Sequence, residues 1–242
     1  MQEKARSTTG SGPVIDMRDL HKTYQGDGLS VQAVRGVTLR IEPGEFTALV
    51  GPSGSGKTTL LNLISGLDRP TSGSVRLNGV LLAEMSGRVL SDFRRDHIGF
   101  IFQAYNLIPV LTAAENVEYV LLLQRIPRDE RVERVSAMLR QVGLAGYEDR
   151  LPSRLSGGQQ QRVAIARAMV ARPSLVLADE PTANVDSATG AGLIDMMHTL
   201  NRETGMTFLF SSHDPMVMER ARRVITLQDG HLRDESSGSA AR

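Results

Sequence analysis

Residues 45–58 read Glu45-Phe46-Thr47-Ala48-Leu49-Val50-Gly51-Pro52-Ser53-Gly54-Ser55-Gly56-Lys57-Thr58. Pro43-Gly44 turns the chain into a short apolar strand, and the last eight residues fit the pattern G-x-x-x-x-G-K-[ST]. Strand before and helix after is the context in which that pattern cradles phosphate. The glycines let the backbone wrap an anion without Cβ clashes, and successive N–H groups converge on it at a helix N-terminus. Lys57 is placed to reach β- and γ-phosphates, and the Thr58 hydroxyl, with Thr59 beside it, to meet a magnesium ion. A Gly-Ser surface loop is the bland alternative, and it leaves the flanking strand and helix unexplained.

Further along, Leu175-Val176-Leu177-Ala178 runs into Asp179-Glu180. A buried strand ending in two acids sets carboxylates at the C-terminal edge of a sheet, where α/β proteins bind ligands. Asp179 suits a magnesium ion and Glu180 suits a general base for water, since one carboxylate serves the metal while the other takes a proton. An acidic turn after a strand is common, so this segment gains its meaning from the phosphate loop.

Alternating residues at 14–24 and 31–41 read as half-buried strands, with another strand at 74–77. Residues 112–123 read as a helix. So do residues 129–142, with Val132, Val135, Leu139 and Val142 on one face and Gly143 as the stop. Short apolar runs at 175–178, 207–210 and 224–227 alternate with helical stretches. The whole is α/β: a parallel sheet with covering helices, interrupted by a helical lobe near residues 86–160.

The most discriminating stretch is Leu155-Ser156-Gly157-Gly158-Gln159. With it the chain resembles the ATP-binding cassette of ABC transporters over residues 14–235. The phosphate loop, Gln103, this signature, Asp179-Glu180, Asp186 and His213 follow one another in that family's order. The resemblance implies a P-loop NTPase (RecA-like) core with an antiparallel β subdomain and an inserted α-helical subdomain. It implies an ATPase domain over residues 13–235, with disordered tails at 1–12 and 236–242. ATP and magnesium are then the cofactors. The nucleotide is bound by Tyr24 (stacking on adenine), by Gly51, Pro52, Ser53, Gly54, Ser55, Gly56, Lys57, Thr58 and Thr59, and by Gln103 and Asp186. Ser156, Gly158 and Gln159 reach the nucleotide held by a second, head-to-tail copy. Thr58, Gln103 and Asp179 hold the metal; Glu180, His213 and Lys57 carry catalysis. A Ser-Gly-Gly segment opening a helix suits that role, with a hydroxyl, open N–H groups and a positive dipole end. Read alone, Tyr24 is an ordinary strand-end residue and Gln103 a solvated loop residue. Val185 stands where the family usually has Leu.

Softer likenesses point to the lipoprotein-releasing and macrolide-efflux branch (LolD and MacB type). They lie in Ile98-Gly99-Phe100-Ile101-Phe102-Gln103, Asn106-Leu107-Ile108-Pro109, Glu115-Asn116-Val117, Gln159-Gln160-Gln161-Arg162 and Asp68-Arg69-Pro70-Thr71-Ser72-Gly73. The partner implied is a separate membrane permease with a large extracytoplasmic domain, and the function export or extraction at the cytoplasmic face of the inner or plasma membrane. An importer ATPase would share every catalytic residue. A non-transport cassette acting on DNA or ribosomes, and a P-loop kinase, are the other readings; the kinase leaves the signature and His213 without work.

Bulk properties agree. The 242 residues suffice for one large domain or a core with an inserted lobe. Lys plus Arg (28) balance Asp plus Glu (27) to a net charge of +1, with no basic excess for a nucleic-acid partner. No Cys is present, which excludes disulfides, thiol catalysis and Cys-ligated zinc. No apolar run nears the roughly 18 residues of a spanning helix, and the polar first residues lack the apolar centre of a secretory signal.

Overall fold

The computed structural model describes residues 12–26 and 29–238. The expected N-terminal tail at 1–12 therefore lies outside the described residues apart from Gly12, which is exposed. The alternating segments become β1 (Ile15–Gly26) and β2 (Leu29–Ile41), paired antiparallel from Ile15 opposite Ile41 to Gly26 opposite Leu29. With β4 (Ser72–Leu77) and the two-residue β5 (Val80–Leu81) they form a four-stranded antiparallel sheet in the order β2-β1-β4-β5.

The run ahead of the phosphate loop is β3 (Phe46–Val50), buried at every position, as befits a strand covered on both faces. It joins β6 (Ile98–Ile101), β7 (Leu175–Asp179), β8 (Thr207–Ser212), β9 (Arg223–Gln228) and β10 (His231–Ser237) in the order β10-β9-β3-β8-β7-β6. All neighbours are parallel except β10, which returns antiparallel on β9. Parallel neighbours need crossovers: helices within residues 113–169 join β6 to β7, and α6 (Ser187–Thr204) joins β7 to β8, while α7 (Pro215–Arg220) carries the chain from β8 past β3 to β9.

Strand periodicity divides the apolar residues between two cores. Phe46, Ala48, Val50, Val176, Ala178, Phe208 and Phe210 face one, together with α3 (Ala113–Leu123), α4 (Arg128–Gln141), α5 (Gly157–Met169) and α6. Leu49, Leu175, Leu177 and Leu209 face the other, with α1 (Lys57–Ser65), α2 (Gly87–His97) and the antiparallel sheet. The phosphate loop sits at the C-terminal edge of the central sheet, between these two layers.

Three expectations need correction. The helical lobe does not begin near residue 86: α2 contributes Leu90 to the core under the antiparallel sheet, and Ile98–Ile101 pairs with β7 as part of the central sheet. The inserted helices follow β6. Val132 is 57% exposed, because Met138 completes the buried face of α4 with Val135 and Leu139 and leaves Val132 on its margin. The domain boundary expected at 235 falls inside β10, whose Ser236 and Ser237 pair with Val224 and Arg223. Residues 239–242 of the expected C-terminal tail lie outside the described residues. No described helix is long and apolar enough to cross a membrane.

Candidate functional site

At residue 56 the chain enters α1 through a glycine with φ 105°. A Cβ there would lie 2.3 Å from the Ala33 carbonyl oxygen, so only glycine fits. No side chain caps α1 and no acid occupies its first turn. Its leading N–H groups are left for an anion. Lys57 is buried, and its Nζ donates to the carbonyls of Gly51 (2.8 Å) and Pro52 (3.1 Å), holding the amine inside the loop it serves. Within the loop, Ser55 N–H donates to Pro52 O at 3.2 Å. Ser55 Oγ is buried without a hydrogen-bond partner among the described residues, while Ser53 and Gly54 are exposed at the tip.

Strand register brings the remaining pieces to this edge. Val50 lies opposite Ser212, Asp179 opposite Ser211, and Ile101 opposite Ala178. The Thr58 hydroxyl donates to Asp179 Oδ1 at 3.2 Å, and the fully buried Ser211 hydroxyl donates to the same oxygen at 2.6 Å. Ser211 also anchors the neighbouring acid, since Glu180 N–H donates to its Oγ (3.0 Å) and to its carbonyl (3.2 Å). Glu180 holds φ 48°, a left-handed conformation for a residue that precedes proline. Its Oε1 lies 2.9 Å from His213 Nδ1; the imidazole is 70% exposed while the carboxylate is 15% exposed. A continuous polar chain thus runs Thr58, Asp179, Ser211, Glu180, His213.

Oxygen donors of this kind suit magnesium, which takes one or two carboxylates with phosphate oxygens and water. The Thr58 hydroxyl and Asp179 carboxylate already face one another, so these residues fit the ion. No group of three or more His, Cys, Asp or Glu suited to a metal occurs among the described residues.

Ser156 is the N-cap of α5 in a closed capping box: its Oγ accepts from Gln159 N–H at 3.3 Å, and Gln159 Oε1 accepts from Ser156 N–H at 3.0 Å. Gln159 is turned inward onto its own helix start, leaving the Ser156 hydroxyl proton and the Gly157 and Gly158 N–H groups as the outward donors. This segment is seated against its own chain. A Cβ on Gly157 would meet Tyr105 Oη (3.0 Å) and Asn184 O (3.6 Å), and one on Gly158 would meet Thr189 Cγ2 at 2.7 Å.

Asp186 caps α6, accepting from Thr189 N–H (2.9 Å) and Oγ1 (2.7 Å), and the Thr189 backbone bond leads in holding its carboxyl below the usual range. Gln103 is exposed two residues beyond β6; its carbonyl accepts from Asn184 Nδ2 at 2.7 Å. Tyr24, 42% exposed, donates its hydroxyl to Asp68 Oδ2 at 2.7 Å and also meets the Thr59 side chain beside the phosphate loop. Lys22 Nζ stands 4.7 Å from the Tyr24 ring centroid. Burial raises the Tyr24 phenol pKa, and the Asp68 bond adds to the rise.

Two features escaped the sequence reading. Ser211 had one legible signal, a polar pair closing an otherwise apolar run. The other, the clamp on the Gln103 loop, had none: Arg167 donates to the carbonyls of Tyr105 (2.8 Å) and Asn106 (2.5 Å), and Tyr105 Oη donates to Asn184 O (3.0 Å). These contacts join segments more than sixty residues apart.

The ABC transporter family pattern matches residues 34–183. The chain is 44% identical over 225 residues to the macrolide export ATP-binding/permease protein MacB of Syntrophobacter fumaroxidans, covering 92% of this chain and 32% of that protein. It therefore spans about a third of that relative's length. An uncharacterized ABC transporter ATP-binding protein of Mycobacterium tuberculosis is 44% identical over 220 residues, 91% of this chain and 89% of the relative. Among solved structures, the dimeric ATP-binding cassette MJ0796, in a post-hydrolysis state bound to ADP and Pi, superposes with a TM-score of 0.85 at 40% identity, covering 92% of this chain and 98% of that one.

Proposed function

The chain belongs to the ABC transporter family as an ATP-binding cassette with ATPase activity, and from that premise we propose that two copies close head to tail over two ATP molecules to drive a separate membrane permease. The reading is carried by the chain from Thr58 through Asp179, Ser211 and Glu180 to His213. It unites a phosphate loop, a metal-competent carboxylate and a second carboxylate in hydrogen-bond contact with a histidine.

In this mechanism the loop amides and Lys57 bind the β- and γ-phosphates, and Tyr24 stacks on the base. Thr58 and Asp179 hold magnesium, with Gln103 at the same sheet edge; the ion offsets phosphate charge when bound. Glu180 orients a water for attack on the γ-phosphorus and takes its proton as the bond to the leaving ADP oxygen breaks. His213 keeps the carboxylate aimed and donates a hydrogen bond toward the γ-phosphate. Ser156 and the Gly158 N–H contact the γ-phosphate held by the other copy; within their own chain the glycines of this segment lie against Tyr105, Asn184 and Thr189. Asp186 lies in the loop that bridges the two nucleotides, and a two-fold dimer then uses each surface twice.

A permease partner and a direction of export are supported by the macrolide-export relatives; the type with a large extracytoplasmic domain, and extraction as the mode of export, are our reading of the sequence likenesses at residues 98–117. Relatives of similar length to this chain support the separate-subunit arrangement. The cassette would then act at the cytoplasmic face of the membrane.

Glu180→Gln tests the reading. The variant is expected to bind ATP near wild-type affinity, lose turnover by about a hundredfold or more, and persist as an ATP-bound dimer in size-exclusion chromatography. Full turnover by this variant removes Glu180 from its role.

A further inference from the structure

Gln161 is fully buried in the second turn of α5. Its Nε2 donates to the Pro181 carbonyl at 2.7 Å, and its Oε1 has no hydrogen-bond partner among the described residues. A primary amide with one half bonded and the other orphaned is an expensive way to fill a core position. An apolar side chain of the same length would remove the orphaned oxygen but leave the buried Pro181 carbonyl without its donor, so the amide serves that one bond. What the residue does is set by where its single bond lands.

Pro181 follows Glu180, whose left-handed φ of 48° is disfavoured twice: by its own Cβ and by the proline after it. Such a conformation persists only when its surroundings over-determine it. On the N-terminal side Ser211 does so, accepting twice from Glu180 N–H. Beyond the residue, the Glu180 carbonyl accepts from Ala183 N–H at 3.2 Å, a bond local to the same loop. The tie from this loop's next peptide to another element is Gln161. That element is the helix whose first turn carries Ser156 and Gly158.

We propose that Gln161 is a positioning residue for hydrolysis: from α5 it holds the Pro181 carbonyl so that Glu180 keeps its strained backbone and its carboxylate stays aimed beside His213. The inference rests on the ATPase reading above and deepens it. One rigid helix then joins the signature segment, which serves the other copy's nucleotide, to the base that serves this chain's own. A displacement of α5 reaches Glu180 through one hydrogen bond.

The test compares the full chain with Gln161→Met and Gln161→Glu in steady-state ATPase assays with magnesium and ATP, alongside thermal unfolding. Methionine keeps length and volume while removing both the donor and the orphaned acceptor. Gln161→Met exchanges one orphaned buried acceptor for another, so it is expected to move Tm little, leave KM for ATP within about twofold, and lower kcat by about tenfold, the scale of a small misplacement of a catalytic group. Gln161→Glu sets a carboxylate against the Pro181 carbonyl, and only its protonated form can donate. Its activity relative to wild type is therefore expected to climb as pH falls. A merely structural glutamine predicts an altered Tm with kcat intact. Wild-type kcat in Gln161→Met overturns the proposal, as does a raised KM at unchanged kcat; if that variant fails to fold, a flat pH ratio for Gln161→Glu does so. Absence of turnover in the wild-type chain would sink the ATPase reading itself, and this inference with it.

Discussion

Ser211 has no charge and no exposed surface, yet both acids of the site depend on it. It donates to Asp179 and accepts from the backbone of Glu180. Ser211→Ala leaves the Glu180 N–H with only the longer carbonyl contact and Asp179 Oδ1 with only the longer Thr58 contact. Urea unfolding is expected to register a loss of about 1–3 kcal/mol, and ATPase assays a kcat more than tenfold lower with ATP affinity little changed. Gly56 gives the complementary case. Gly56→Ala places a Cβ 2.3 Å from a backbone oxygen at φ 105°, so the loop must deform. Titration with a fluorescent ATP analogue is expected to show binding lost, whereas a merely flexible loop would still bind.

At the scale of elements, two helices begin with the same device. Thr112 with Glu115 opens α3, and Ser156 with Gln159 opens α5, each in a closed capping box. Thr112→Ala and Ser156→Ala should each cost about 1 kcal/mol of stability in denaturant titrations. Only Ser156→Ala should also depress ATPase activity, because only that helix start is proposed to meet the other copy's nucleotide. Equal activity in the two variants would reduce Ser156 to a cap. By contrast α1 has no cap at all, so its N-terminal amides are left open to substrate.

Across the whole molecule, the antiparallel sheet is tied to its charge pairs. Asp16 on β1 lies opposite Arg40 on β2 and Arg76 on β4. Its carboxyl is held below the usual range by the Arg18 hydrogen bond first, with burial opposing and Arg40 assisting. A depressed folded-state pKa means the folded chain binds fewer protons. The contribution is therefore complete above about pH 4 and disappears as pH falls from there through the folded-state value. Asp16→Asn is expected to be less stable than wild type at neutral pH, with the difference closing in acid; urea unfolding at stepped pH checks this. A gap that persists in strong acid would assign the effect to packing.

The amino-acid sequence by itself determined the local chemistry: the phosphate loop between strand and helix, the two acids at and just beyond the end of β7, and the Ser-Gly-Gly helix start. Each is written in adjacent residues whose backbone preferences and side-chain types act over a few positions. Tertiary structure alone decided what depends on register and packing between distant segments. It placed Ile98–Ile101 in the central sheet, where a four-residue strand inside a helical stretch carries too little pattern to be recognised. It sorted continuous apolar strands into two cores, a division visible only once both faces have occupants. It joined Ser211 to Asp179, Arg167 to the Gln103 loop and Gln161 to Pro181. Those bonds span twenty to more than sixty positions, a distance over which one sequence alone gives no periodicity or motif to read.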